Sequence, residues 1–244
     1  MGAVGGALLM PMAALQVPAL RRRVPRLGHP PSPATGTVAG DVTTLRLLGV
    51  GESTIAGVGV ERPDDALTGA VARALAARTG RTVRWTAVGR NGATAAAVRR
   101  DLLSLVPPEP VDVILLGLGG NDLMRLTGRG AFLRELDALV AALIARTGAR
   151  DPVVAFPGMP QMGAFPALPG VVRAVAGLRS RWLEWETIHW AARRPGHVHA
   201  RPTFTGDAAT FFASDGFHPS AAGYRAWGEA IVDAIDRAGR ARPR

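Results

Sequence analysis

The sequence contains no cysteine, which excludes a disulfide scaffold, a thiol nucleophile and cysteine-ligated zinc. It contains no lysine either. All 29 basic residues are arginine, and they give a formal net charge of +10. A nucleic-acid surface needs basic residues gathered on one face, with aromatic platforms between them. Here the arginines scatter along helical stretches, apart from Arg21-Arg22-Arg23 and the run Arg240-Ala241-Arg242-Pro243-Arg244. No nucleic-acid partner is expected. There is no internal repeat of 20–50 residues, which sets solenoids and propellers aside. What the chain does have is apolar content: 48% of 244 residues, enough to bury one sizeable core and too much for a disordered chain.

Met1 to Leu20 carry no charged side chain, and Arg21-Arg22-Arg23 follows at once. That length meets the threshold of about 18 residues for a membrane span. Pro11, Gln16 and Pro18 weaken it as a helix. A secretory signal places its positive charge before the apolar run, and here the charge comes after. Three readings stay open: membrane association through residues 1–23, a cleaved signal, or a loose surface arm. An inserted segment would keep the rest on the cytoplasmic side, so the expected location is the cytoplasm or the inner face of the membrane. His29-Pro30-Pro31-Ser32-Pro33-Ala34-Thr35-Gly36 reads as a linker. The division is therefore an N-terminal segment over residues 1–42 and a folded domain over 43–240.

From Thr43 onward short apolar runs alternate with long helical stretches. Strands are expected at Leu45–Val50, Val83–Val88, Val111–Leu116, Val153–Phe156 and His197–Ala200. Helices are expected at Ala66–Thr79, Thr94–Leu105, Ala131–Arg146, Val171–Arg194 and Ser220–Arg237. Near-continuously apolar strands, each followed by a helix, form a parallel sheet covered on both faces. The fold class is α/β: a doubly wound, three-layer α/β/α sandwich with a five-stranded parallel sheet. Too few strands are present for an eight-fold barrel.

In such sheets ligands bind beyond the carboxyl ends of the strands. Ser53 follows the first strand, Gly92 the second and Asn121 the third, while Asp215 and His218 sit in the loop before the last helix. Serine is a weak nucleophile until a base takes its proton, and His218 is the best placed of five histidines to do so. Asp215, three residues earlier, would fix its tautomer. An oxyanion needs preorganised donors. The Asn121 side chain and the backbone N–H groups of Ser53 and Gly92 supply them. Asp122 is expected to stabilise its own loop.

These segments resemble the SGNH (GDSL-type) esterases and lipases, whose sheet is flavodoxin-like. Gly51-Glu52-Ser53 with Thr54, Gly57 and Gly59 is similar to the family's first block. Asn91-Gly92-Ala93-Thr94, Gly119-Gly120-Asn121-Asp122 and Asp215-Gly216-Phe217-His218-Pro219 resemble the other three, in order. The resemblance spans roughly Leu45 to Trp227. It implies Ser53 as nucleophile, His218 as base, Asp215 as its partner, and an oxyanion hole from Ser53, Gly92 and Asn121. One position departs: the family usually carries Asp where this chain has Glu52. The extra methylene is expected to move the carboxylate outward, altering rate or specificity rather than abolishing activity.

The expected activity is cofactor-independent hydrolysis of a small-molecule or lipid carboxylic ester, acyl or acetyl, through an acyl-serine. An acyltransferase using the same residues, or a non-catalytic binding protein on a hydrolase scaffold, remain alternatives. Acyl chain length and oligomeric state are not readable. Met159 and Phe165, in the segment leaving the fourth strand, are expected to line the acyl pocket. His197 and His199 share a strand face but lack a third ligand, so no metal is expected. Trp182, Trp185 and Trp190 read as core residues of one helix.

Overall fold

A computed structural model describes residues 25–201 and 207–239. The membrane expectation for residues 1–23 and the C-terminal arginine run lie outside the described residues. Among the described residues no helix is long and apolar enough to cross a membrane.

Six strands form one sheet: β1 (Ala34–Val38), β2 (Val42–Gly51), β3 (Arg81–Gly89), β4 (Val113–Gly117), β5 (Val153–Phe156) and β6 (His197–His199). Their spatial order is β1-β3-β2-β4-β5-β6. The five expected strands are present and mutually parallel. The sixth, β1, pairs antiparallel with β3 and closes one edge. It occupies residues read from the sequence as linker. Ala-Thr-Gly-Thr-Val carries no apolar run, and an edge strand needs none. Its alternate residues Ala34 and Val38 pack against one core, while Thr35 and Thr37 are exposed.

The helices are α1 (Ser53–Ala56), α2 (Leu67–Thr79), α3 (Ala95–Asp101), α4 (Gly120–Met124), α5 (Arg129–Thr147), α6 (Gly170–Ala192), α7 (Ala208–Phe211) and α8 (Ala221–Arg237). The helix expected over Thr94–Leu105 is shorter: α3 stops at Asp101, and a 3₁₀ turn takes over at Leu103–Leu105. Strand side chains alternate between two cores, as the pleat requires. Leu45, Leu47, Val113 and Leu115 face α2 and α8. Leu48, Val50, Ile114 and Leu116 face α3, α5 and α6. Each long helix contributes a stripe at helical spacing, such as Leu67, Val71 and Leu75 on α2, or Phe132, Leu136, Leu139 and Leu143 on α5. The expected three layers are the result.

The chain steps from β2 to β3 on one side, then back past β2 to β4 on the other. The crevice of a doubly wound sheet opens at such a reversal. At its floor Gly51 lies in register with both Gly89 and Gly117. A Cβ on Gly89 would sit 2.4 Å from the Ala56 backbone nitrogen, and one on Gly117 would sit 2.5 Å from Ile55 Cγ1. Only glycine lets α1 lie down across the strand ends.

Gly89→Ala is therefore expected to cost about 1–3 kcal/mol, because the backbone of α1 must lift. A urea melt checks this: the midpoint should fall at an unchanged slope, and an unaltered midpoint would mean that α1 is not seated on the sheet.

Candidate active site

Ser53 opens α1 directly beyond the end of β2. The Glu52 N–H donates to the Gly117 carbonyl at 2.8 Å, tying the exit of β2 to that of β4. The far end of α1 is held by Tyr224 of α8, whose buried hydroxyl donates to the Val58 carbonyl at 2.8 Å. Burial pushes that phenol's pKa up, so it stays a donor. Ser53 is buried at the base of a cleft.

His218 faces the same cleft from the loop between α7 and α8. Its Nδ1 lies 2.6 Å from Asp215 Oδ2. The other carboxylate oxygen, Oδ1, accepts the backbone N–H groups of Phe217 and His218, each at 2.9 Å. Burial works against the charge on Asp215, yet the His218 ring and these two amides hold its pKa below the usual value. An ionised carboxylate only accepts, so Nδ1 carries the ring proton and Nε2 is left as a base. The loop is thus folded around one carboxylate, and the pairing expected from the three-residue spacing is present.

Glu52 is where the structure departs from expectation. Its carboxylate is not displaced outward; the residue is 6% exposed. It lies against the start of α4. There Oε1 accepts the Gly120 N–H at 2.9 Å, while Oε2 accepts the Asn121 N–H at 2.9 Å and the Asn121 side-chain Nδ2–H at 2.6 Å. Burial raises its pKa to about 7; these bonds lower it only in part, and neighbouring Asp122 adds repulsion.

Asn121 and Gly92 stand on the same sheet edge beside the cleft: Asn121 directly follows Gly120, which lines it, and Gly92 lies beyond β3. Gly92 lies in the turn after β3 with φ of +79°, and a Cβ there would meet nothing within 4 Å. Glycine is required by the left-handed turn rather than by crowding. Its carbonyl accepts from Arg125 at 3.2 Å. Asp122 does more than steady its own loop. It is buried, and Oδ2 accepts the Ala95 N–H at 2.9 Å, joining α4 to the first turn of α3. Burial raises its pKa.

The cleft holds about 710 Å³, its open mouth included, and its wall is apolar: Met162, Phe165, Phe211, Phe212, Phe217 and Trp227. Phe165 meets Phe212 and Phe217 edge-on at 5.0 and 5.2 Å. Phe165 is part of this wall. Met159 is not: it is 1% exposed in the core, beneath Gly119, and Met162 takes the wall position. The segment turns at Met159 because its N–H donates to Glu184 of α6 at 2.6 Å. The sequence reading missed Glu184, and also Trp227, whose indole N–H donates to the Pro157 carbonyl at 3.2 Å. These contacts span 25 and 70 residues and leave no local signal. The Phe211-Phe212 pair just before the Asp215 segment was a usable one.

His197 and His199 do not converge. His197 packs edge-on against Trp190, whereas His199 lies 3.4 Å from Glu184. Among the described residues there is no cluster of three or more side chains suited to a metal ion. Trp190 is buried with its N–H on Asp137, but Trp182 and Trp185 are 45% and 56% exposed. Trp185 and Trp190 stand about 140° apart on a helix, so one face cannot bury both.

Fold and site together define a doubly wound α/β protein whose cleft is lined by a serine and by a histidine paired to an aspartate. The chain belongs to the GDSL-like Lipase/Acylhydrolase family, which matches residues 50–226. It is 30% identical to a GDSL-like esterase of Mycobacterium tuberculosis over 188 residues, which are 74% of this chain and 58% of that protein. The chain thus spans less than two thirds of that relative. Among solved structures, a lipase from a goat rumen metagenome superposes with a TM-score of 0.61 at 18% identity, covering 78% of this chain and 97% of that one. The family 3 carbohydrate esterase of Clostridium thermocellum does so with a TM-score of 0.60 at 16% identity, covering 82% and 100%. At these identities the structures speak for the fold.

A folded-state pKa raised from 4.5 to about 7 has a definite sign for stability. Native Glu52 binds its proton more tightly than unfolded Glu52, so its contribution is full below pH 4.5 and is lost as pH rises through about 7. Urea melts across this window should show the wild type losing stability relative to Glu52→Gln. Parallel curves for the two proteins would contradict the assignment.

Proposed function

We propose that this protein is a serine esterase that cleaves carboxylic esters through an acyl-Ser53 intermediate. The observation that carries the reading is the 2.6 Å Asp215–His218 pair, with its free Nε2 on the cleft that Ser53 also lines. His218 Nε2 takes the Ser53 proton as Oγ attacks the ester carbonyl, and returns it to the departing alcohol. Water then attacks the acyl carbonyl with His218 again as base, and Ser53 is released. Negative charge on the tetrahedral oxygen is met by the Ser53 and Gly92 backbone N–H groups and the Asn121 Nδ2–H. The phenylalanine-lined wall favours an apolar acyl group, of a small-molecule or lipid ester, over acetyl.

Ser53→Ala is expected to lower turnover by roughly a millionfold, and a fluorophosphonate probe should label the wild type at Ser53 alone. Near-normal esterase activity in the variant would refute the assignment.

Phe165→Ala opens the cleft wall and should shift the preferred p-nitrophenyl ester toward longer or bulkier acyl groups. An unchanged chain-length profile would place the acyl site elsewhere.

A further inference from the structure

We propose that Glu52 is the positioning residue of the Asn121 amide: its carboxylate orients that amide for the oxyanion, and protonation of the carboxylate loosens that hold. The proposal rests on the acyl-serine reading above. Its ground is geometric. A side-chain amide carries two N–H bonds and rotates about χ2 unless something fixes it. Here one Nδ2–H is bound to Glu52 Oε2 at 2.6 Å. The same oxygen takes the Asn121 backbone N–H at 2.9 Å, and Oε1 takes that of Gly120 at 2.9 Å. Three donors on one carboxylate fix the amide plane and the backbone that bears it. The second Nδ2–H has no protein acceptor among the described residues, and Asn121 directly follows Gly120, which lines the cleft; this is the N–H assigned to the substrate oxygen.

The ionised carboxylate accepts all three bonds most strongly. A proton on Oε2 would compete with the two Asn121 N–H groups for that oxygen, and one on Oε1 with the Gly120 N–H, so protonation weakens the hold on the amide. The groups around Glu52 decide how readily this happens. On α4 they are Asp122, which repels its charge, and the amides just named. From α8 comes Tyr224, whose buried neutral phenol lies within the field of both Glu52 and Asp215. From the loop before α8 come Asp215 and His218, paired with one another across the cleft. Pro160, beyond β5, stands beside Gly120 and brings no charge. No arginine forms an ion pair with Glu52 among the described residues. Burial raises its pKa to about 7, so the switch falls in an accessible range.

Two measurements test this. The first needs no activity. The chain has two asparagines, Asn91 and Asn121, so the Asn121 side-chain amide is easily assigned by NMR in labelled protein. Its two protons should shift with a titration near neutral pH that is absent in Glu52→Gln. A flat titration in the wild type overturns the proposal, even if the variant fails to fold.

The second is a double-mutant cycle on kcat and KM. Glu52→Gln should lower kcat about ten- to a hundredfold, with KM within about twofold, and remove one ionisation from the acid limb of the kcat profile. In an Asn121→Ala background the same change should have no further effect on kcat. Additive losses, or an unaltered pH profile, overturn the proposal. Failure of the acyl-serine reading looks different: Ser53 would not take a fluorophosphonate label, and Ser53→Ala would remain active. A labelled Ser53 with additive losses discards the Glu52 role alone.

Discussion

The parallel pairing of β2 with β3 on one side and β4 on the other governs everything else in this molecule. It brings Gly51, Gly89 and Gly117 into register at one edge of the sheet. The helix turn carrying Ser53 packs onto that edge with no Cβ in its way. Because the strands are parallel, the segments that follow them start side by side: Ser53 beyond β2, Gly92 beyond β3 and Asn121 beyond β4. Antiparallel pairing would have sent them to opposite ends. Site geometry is thus a consequence of sheet topology before any functional side chain is considered.

On that edge two buried carboxylates do related work in different surroundings. Asp215 is satisfied by a ring and two amides from its own loop, so the segment holding His218 is organised locally. Glu52 is satisfied by groups 68 and 69 residues away, so it joins the loop after β2 to the one after β4. A buried charge without such partners would be costly. With them, each carboxylate fixes the backbone it binds. Asp122 extends the same pattern to α3 through the Ala95 N–H. The polar network lies under the sheet edge, while the cleft wall beside it is built from phenylalanines.

Much of this was legible in the sequence. Five parallel strands could be placed because most of them are short, largely apolar runs followed by a helical stripe, a pattern that sheet burial on two faces imposes. The Asp215–His218 pair could be placed because three residues suffice to close it. β1 was not legible: an edge strand with one face in water can be made from Thr-Gly-Thr, which reads as a linker. Met159 and Met162 were not separable either. Both are apolar, and only the bond from the Met159 N–H to Glu184 on a distant helix decides which of them turns into the core. Trp182 and Trp185 show the converse, since apolar identity alone did not bury them.

The sequence by itself determined the layers, the order in which the site segments arrive and the local Asp215–His218 pair, because these depend on periodicity and on contacts within a few residues. Tertiary structure alone decided the direction of Glu52. The sequence shows one methylene more than the family's usual residue and says nothing of where it points. That was settled by the strand pairing that sets α4 beside β2, leaving the Gly120 and Asn121 N–H groups within reach of a carboxylate that would otherwise have been buried without a partner.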